Sequence, residues 1–434
     1  MRRLSSFLIQ KPYTLLIYLT LPLVFMRLWW RGRKNPGYRE HLSERLGILP
    51  FTLQNSIWLH AVSLGESIAA KPLIEKLLAT YPDLPMLITH TTPTGRAWIA
   101  KNFSPQIQAS KLYHAYLPYD TPCFIQKFLK RTQPKILILI ETELWPNLLY
   151  VTHQVGIPSL LANARLSERS FKRYQKAIGI TPLMLQSLSH IAAQHHNDAQ
   201  RFQQLGYPSA QISITGSMKF DMRLPLDLET RRDQLQALGV KGRPIWIAAS
   251  THLGEENMML EAHHQILKSH SQALLLLVPR HPERFIEVEG LIQNSHLSYQ
   301  SKSSQAEILP KTQVLLGDTL GELLIYYACS DIAFVGGSLK PIGGHNLLEP
   351  AALALPLLTG PHFHNFQAIT ANLVQQGAAQ VITNAQTLAE SVIELLDHPS
   401  LQTQMGDIAR SCFLQNQGAT DRHMAIIAAL LDSQ

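Results

Sequence analysis

From residue 50 onward, short apolar runs alternate with stretches in which apolar positions recur every three or four residues. The first kind predicts strands and the second amphipathic helices. Ser56 to Ala61 and Pro85 to His90 read as strands, and Glu66 to Leu78 and Gly95 to Asn102 as helices. Lys135-Ile136-Leu137-Ile138-Leu139-Ile140, bounded by Pro134 and Glu141, has the pattern of a central parallel strand covered on both faces. Shorter strands are expected near Pro158 to Ala162, Ile191 to Gln194 and Ile212 to Thr215. A second series follows Leu224-Pro225, with strands at Ile245 to Ala249, Ala273 to Val278, Val314 to Gly317, Ile332 to Val335 and Leu355 to Leu358. Such alternation means right-handed βαβ units. The expectation is an α/β chain with two doubly wound Rossmann-like sheets, joined near residues 216 to 230, that bind ligands between facing strand ends. The terminal helix, about Thr420 to Leu431, could cross back to the first domain.

The start of the chain differs. No charge occurs from Pro12 to Met26, a run carrying Leu15, Leu16, Leu19, Leu21, Leu23 and Phe25 up to Trp29-Trp30. Arg2, Arg3 and Lys11 precede it, and Arg27, Arg31, Arg33 and Lys34 follow, with the tryptophans at interfacial level. No small-residue cleavage site succeeds it, so it does not read as a removed signal peptide. At about 1.5 Å per residue the uncharged run reaches roughly 23 Å, against about 30 Å of hydrocarbon. It predicts a dipping or weakly spanning anchor, the globular part on the side of the basic cluster; a buried first helix is the competing reading. The domains are thus 1–34, anchor and basic flank; 35–222, first domain; and 223–434, second domain.

Composition sharpens this in three ways. The 434 residues exceed one ordinary core and suit two of about 200 residues each. A net charge of +7 favours an anionic partner, but the basic residues are scattered after residue 40 and no RNA-binding or zinc-finger signature occurs, which argues against nucleic acid. Cys123, Cys329 and Cys412 are far apart and outside any CxxC pattern, so free thiols are expected. Histidines such as His195, His196 and His281 lack ligand spacing, and no metal is expected.

Polar residues gather where the predicted strands end. In the first domain, His60-Ala61-Val62-Ser63-Leu64-Gly65-Glu66-Ser67 runs from strand through a glycine turn into a helix start, and Glu141-Thr142-Glu143-Leu144-Trp145-Pro146 follows the central strand. Glu66 reads equally as a functional acid or as a partner of the helix dipole. Glu141 and Glu143 read as cleft acids or as buried structural ones. In the second domain, the exits are Ala249-Ser250-Thr251-His252 before Glu255-Glu256, Val278-Pro279-Arg280-His281-Pro282-Glu283-Arg284-Phe285, Asp318-Thr319-Leu320-Gly321-Glu322 and Val335-Gly336-Gly337-Ser338. Arg280 is placed to clamp a phosphate. In Gly343-Gly344-His345-Asn346-Leu347-Leu348-Glu349-Pro350, two glycines would allow close approach to a phosphate, and Glu349 would accept from ribose hydroxyls. Together these exits predict a nucleotide pocket without a GxGxxG fingerprint. Lys219, in Gly216-Ser217-Met218-Lys219-Phe220-Asp221, could reach a developing negative charge or be a solvated linker lysine.

HAVSLGES, ETELWPN, GSMKFD, ASTHLGEE, VPRHPERF, DTLGEL and GGHNLLEPA, in this order, resemble the 3-deoxy-D-manno-octulosonic acid (Kdo) transferases of lipopolysaccharide synthesis, from the anchor and Tyr38-Arg39-Glu40 almost to the C-terminus. The motif cores match; His252-Leu253 and residues 103 to 135 vary locally. The resemblance implies a GT-B fold, attachment to the inner membrane facing the cytoplasm, CMP-Kdo as donor and a lipid A precursor (lipid IVA) as acceptor. It implies a catalytic base at Glu66, transition-state support from Glu141 and Lys219, and CMP contacts at Pro279, Arg280, Leu320, Gly321, Glu322, Asn346, Leu347, Leu348 and Glu349. The choice of Glu141 over Glu143 rests on it alone. The expected reaction is a single inverting displacement without metal, since the chain has no DxD and a monophosphate leaves. Competing readings are another GT-B enzyme such as a nucleotide-sugar epimerase, a non-catalytic nucleotide sensor, and a carboxylate-pair glycosidase.

Overall fold

The computed structural model describes residues 2–33 and 35–433, side chains before Lys11 aside. The chain forms two compact units, Met1–Met222 with Gln417–Gln434, and Arg223–Asn416.

The first unit is built on a seven-stranded parallel sheet of order β3-β2-β1-β4-β5-β6-β7. Its strands are β1 Ser56–His60, β2 Met86–His90, β3 Leu112–Tyr116, β4 Pro134–Ile140, β5 Ser159–Ala164, β6 His190–Ala193 and β7 Ile212–Ile214. Strand periodicity sorts the core into two layers. Trp58, Leu87, Leu137 and Leu139 pack on one face, and Ile57, Leu59, Ile136 and Ile138 on the other. Helix starts are written locally: the Thr92 and Thr121 side chains accept from Gly95 and Phe124 N–H, each followed by proline at the first helical position. The order reverses between β1 and β4, so the sheet's switch point lies at their carboxyl ends.

The second unit repeats the plan with β8 Ile245–Thr251, β9 Leu274–Pro279, β10 Tyr299–Ser301, β11 Val314–Leu316, β12 Ile332–Val335, β13 Leu357–Thr359 and β14 Ala379–Val381. All pairs in the order β10-β11-β9-β8-β12-β13-β14 are parallel, and the switch point falls between β8 and β12. Three strands are absent from the pattern-based reading: β3, β10 and β14. Each is an edge or terminal strand whose residues (LYHAY, YQS, AQV) include half-buried polar ones, so no continuous apolar run marks it.

The last helix, Ala419–Asp432, belongs to the first unit. Asp221 accepts from the Gly418 N–H (2.7 Å) and the Thr420 N–H at its start. Buried His423 donates through Nδ1 to the Ala419 carbonyl (2.7 Å) and accepts at Nε2 from the Asn163 N–H (2.8 Å). Burial holds this imidazole down at about 4, so it is neutral at physiological pH and suited to that acceptor role.

The first helix, Arg2–Arg31, contains Pro12 and Pro22. Lys11–Arg31 is long and apolar enough to cross a membrane by length and composition. One side of it lies on the first unit: Tyr13 OH donates to Asp120 (2.8 Å), Thr14 to Asn147 (3.0 Å), and Tyr18 and Phe25 meet Phe124 and Tyr119 edge-on. The other side exposes Leu15, Leu16, Leu19, Leu23, Met26, Trp29 and Trp30. The buried-helix reading is therefore wrong, since the apolar side of the helix stays exposed. Lys34 lies outside the described residues.

Candidate functional site

At the first switch point, β1 ends in a turn whose Ser63 caps the helix Leu64–Thr80. Glu66 sits three residues on, and its carboxylate folds back to accept from the Val62 N–H (2.7 Å) and from Ser63 Oγ (3.1 Å). The two readings of this acid thus meet in one residue: it closes the helix start and it faces other acids. A carboxylate serving only a helix dipole would be held low. Here burial, then the charge of Glu143, with a smaller push from Glu141, raises Glu66 to about 8 against the Val62 hydrogen bond.

Glu141 and Glu143 leave β4 in opposite roles. Glu141 occupies the left-handed region (φ 61°), a conformation costing a non-glycine residue about 1–3 kcal/mol and typical of sites where geometry is imposed. Its Oε1 lies 3.7 Å from Lys219 Nζ, both side chains about 25% exposed. Lys219 is therefore no solvated linker residue. Its turn, Met218–Asp221, is fastened by the Met218 N–H to Asn163 Oδ1 (3.1 Å) and by Asp221 to the last helix. Glu143 accepts from Trp145 Nε1 (3.0 Å), and burial raises its carboxyl. The structure brings Glu66, Glu141, Glu143 and Lys219 to one sheet edge, and the pairing of Glu141 with a cation separates it from Glu143.

In the second unit, the exits of β11, β9, β8 and β12 are consecutive along the sheet. Pro279 ends β9 and is buried; Arg280 follows, exposed, its N–H bonded to the Thr251 carbonyl (3.0 Å). The second arginine of that segment, Arg284, is spent on Glu256, a fully buried acid held through both guanidinium nitrogens at 2.5 and 3.3 Å. Arg280, by contrast, has no ion-pair partner within 4 Å among the described residues. Leu320 is exposed and Gly321 takes φ 83°, while Glu322 is engaged by Thr319, Tyr326 OH (3.1 Å) and Arg231 (3.7 Å).

The Gly343-to-Pro350 segment runs into a short helix, Leu348–Ala352, with Glu349 in its first turn. The room at Gly343 and Gly344 is filled by Asn365, His364 and Phe363 of the same unit: a Cβ at Gly343 would fall 2.3 Å from Asn365 Nδ2. These glycines admit a neighbouring loop. Asn346 Oδ1 accepts from the Leu348 N–H (3.1 Å), and Leu347 and Leu348 point into the core, leaving only main-chain atoms for a ligand. Burial raises the Glu349 carboxyl, opposed by the Asn346 hydrogen bond and by Arg280.

Sequence reasoning passed over Glu255. Wholly buried, it accepts from four main-chain N–H groups: His252 (2.9 Å) and Gly337 (2.8 Å) on Oε2, Ser338 (3.0 Å) and Leu339 (2.9 Å) on Oε1. It ties the β8 and β12 exits together across the switch point. An acid at a helix start was visible; donors some 80 residues away were not. Among the described residues no group of three or more His, Cys, Asp or Glu side chains is arranged to hold a metal, and all three cysteines are free.

Two doubly wound parallel sheets, with acids at one switch point and an unspent arginine beside the other, define a GT-B type α/β enzyme. A putative UDP-N-acetylglucosamine 2-epimerase from Listeria monocytogenes superposes over 88% of this chain and 98% of its own (TM-score 0.59) at 15% identity, which shows a common fold and nothing of its activity. Residues 40–222 match the family described as 3-deoxy-D-manno-octulosonic-acid transferase (kdotransferase). The 3-deoxy-D-manno-octulosonic acid transferase of Haemophilus influenzae is 40% identical over 97% of this chain and 98% of its own. That of Bordetella pertussis is 38% identical over 94% and 96%. The chain belongs to this family of glycosyltransferases.

Proposed function

We propose that the chain moves Kdo from CMP-Kdo to a lipid A precursor, with inversion at the anomeric carbon and without metal. The observation that carries this reading is the acid cluster with its lysine at the first switch point. Glu66 takes the proton of an acceptor sugar hydroxyl, which attacks the anomeric carbon as CMP departs from the opposite face. Lys219, held by Glu141, meets negative charge developing at the reacting centre, and Arg280 holds the phosphate. Pro279, Leu320, Gly321, Asn346 and Glu349 complete the CMP contacts, with Leu347 and Leu348 contributing main chain and Glu322 shaping the loop. The purified protein, given CMP-Kdo and a tetra-acylated lipid A precursor in chelator, should yield lipid heavier by at least one Kdo residue. Free Kdo with unmodified lipid would refute transfer, and dependence on an added cation would refute the metal-free step.

The first helix is the membrane contact, on the cytoplasmic face of the inner membrane. Its contacts with the first unit from Tyr13 to Phe25 support a helix lying in the interface plane over one that crosses. Arg27, Arg31, Arg33 and Arg39 flank its tryptophans, Arg39 binding the Trp29 carbonyl, where anionic headgroups would meet them. Leu19→Glu with Leu23→Glu should lower binding to phosphatidylglycerol-containing vesicles by at least about 10-fold, because two charges enter the acyl region. Unchanged flotation would remove this face from the membrane.

A further inference from the structure

Beside Arg280 lies an arrangement that the donor site so far does not use. His252, leaving β8, and His345, in the loop before Asn346, place their Nε2 atoms 2.8 Å apart with ring planes within 8° and centroids 5.0 Å apart. Two imidazoles in this geometry share one hydrogen: one Nε2 donates and the other accepts. Neither Nδ1 has a hydrogen-bond partner among the described residues. Gly337 makes the room, since at φ 67° a Cβ there would sit 2.8 Å from the His345 ring. Glu255 fixes the pair from beneath by holding the His252 and Gly337 N–H groups.

We infer that His252 and His345 form a proton-sharing pair that grips the donor's phosphate beside Arg280 and takes up a proton as the leaving CMP gains charge. The inference rests on placing CMP in the second unit. In the neutral pair only one Nδ1 carries hydrogen. One added proton gives each ring an Nδ1–H while the Nε2 bridge is kept; the two N–H groups diverge, so one of them meets the phosphate while the positive charge is shared across the bridge. The groups around it set when that happens. Arg280, and His281 edge-on to His252 at 5.2 Å, oppose protonation of the empty site; Glu255 and Glu256 favour it, though Glu255 is already saturated with N–H bonds. Lys340 and His364 stand on the neighbouring loops. Burial, then His252, Arg280 and His281, keep His345 down at about 4, and His252 is lowered mainly by burial, so the resting pair is neutral. A phosphate at hydrogen-bond range reverses the balance, raising such groups by about 1–3 units. The phosphate in CMP-Kdo is a diester bearing one negative charge, and free CMP approaches two. The protonated pair therefore favours the departing group over the bound donor.

The test is calorimetric titration of the full chain with CMP at pH 6.5 in buffers of different ionisation enthalpy. Wild type should take up about half a proton more than either His252→Gln or His345→Gln on binding, the proton that CMP itself releases (second pKa about 6) being common to all, and its affinity relative to those variants should be about twofold higher at pH 6.5 than at 8.0. Both variants, checked for folding by melting, should lose that share of the uptake and of the pH dependence, while His281→Gln keeps both. Uptake unchanged from wild type in both glutamine variants would overturn the inference and leave the donor site standing. Absence of any CMP binding by wild type would remove the donor site and the inference with it.

Discussion

Glu66→Gln is expected to cut Kdo transfer by about 10³-fold while leaving CMP affinity within about twofold, because the general base is lost and the nucleotide contacts lie elsewhere in the chain. Glutamine preserves the shape and can still accept from the Val62 N–H, so the helix start survives. Wild-type kcat/KM should rise with pH through an apparent value near 8, the pH to which burial and the acids Glu143 and Glu141 push this carboxyl. That limb belongs to the acid cluster as a whole, since its members titrate together. Stability runs the other way. A carboxyl raised from 4.5 to about 8 on folding stabilises fully below 4.5 and loses that contribution as pH climbs to about 8. The variant, which cannot ionise, should therefore melt progressively higher than wild type over that interval. Turnover at the wild-type rate would end the assignment of the base, and a melting difference independent of pH would show that the acid is not held protonated by folding.

The second large effect concerns an acid that touches no reactant. Glu255→Ala leaves four buried N–H groups without an acceptor, in the two loops that leave β8 and β12. At about 1–3 kcal/mol per unsatisfied buried donor, partly relieved by water, a loss of at least about 3 kcal/mol is expected. For a unit of this size that corresponds to about 6–12 °C in melting temperature. CMP affinity should fall by more than about 10-fold, since His252 and the Gly336 to Ser338 turn lose their common anchor. Glu255→Gln should land between, its amide oxygen satisfying one side and its NH₂ opposing donors on the other. A Glu255→Ala protein that melts with wild type would mean that the two loops are held by something else.

Legibility followed physical locality. Ile136 to Ile140 announces a central strand because both neighbours in the sheet and both covering layers demand apolar residues there. The run from Ser63 to Glu66 announces a helix start because the bond that Ser63 makes closes within three residues. Glu66, Glu141, Lys219 and Arg280 were legible as candidates because a parallel sheet delivers whatever follows its strands to one edge. At the glycine pair, a glycine's freedom is visible in a sequence and the identity of what fills the space is not; at Gly343 it is Asn365.

Chain order alone was enough for the alternation of elements, the two sheets, the carboxyl-edge placement of the acids and the apolar character of the first helix, all consequences of period and strand direction. Folding settled the rest: that Glu141 meets Lys219 while Glu143 meets Trp145, that Arg284 is consumed and Arg280 spared, that Glu255 gathers four amides, and that His252 faces His345. Each of these is a contact between residues brought together by packing, and a linear pattern records which groups are available without recording which of them will meet.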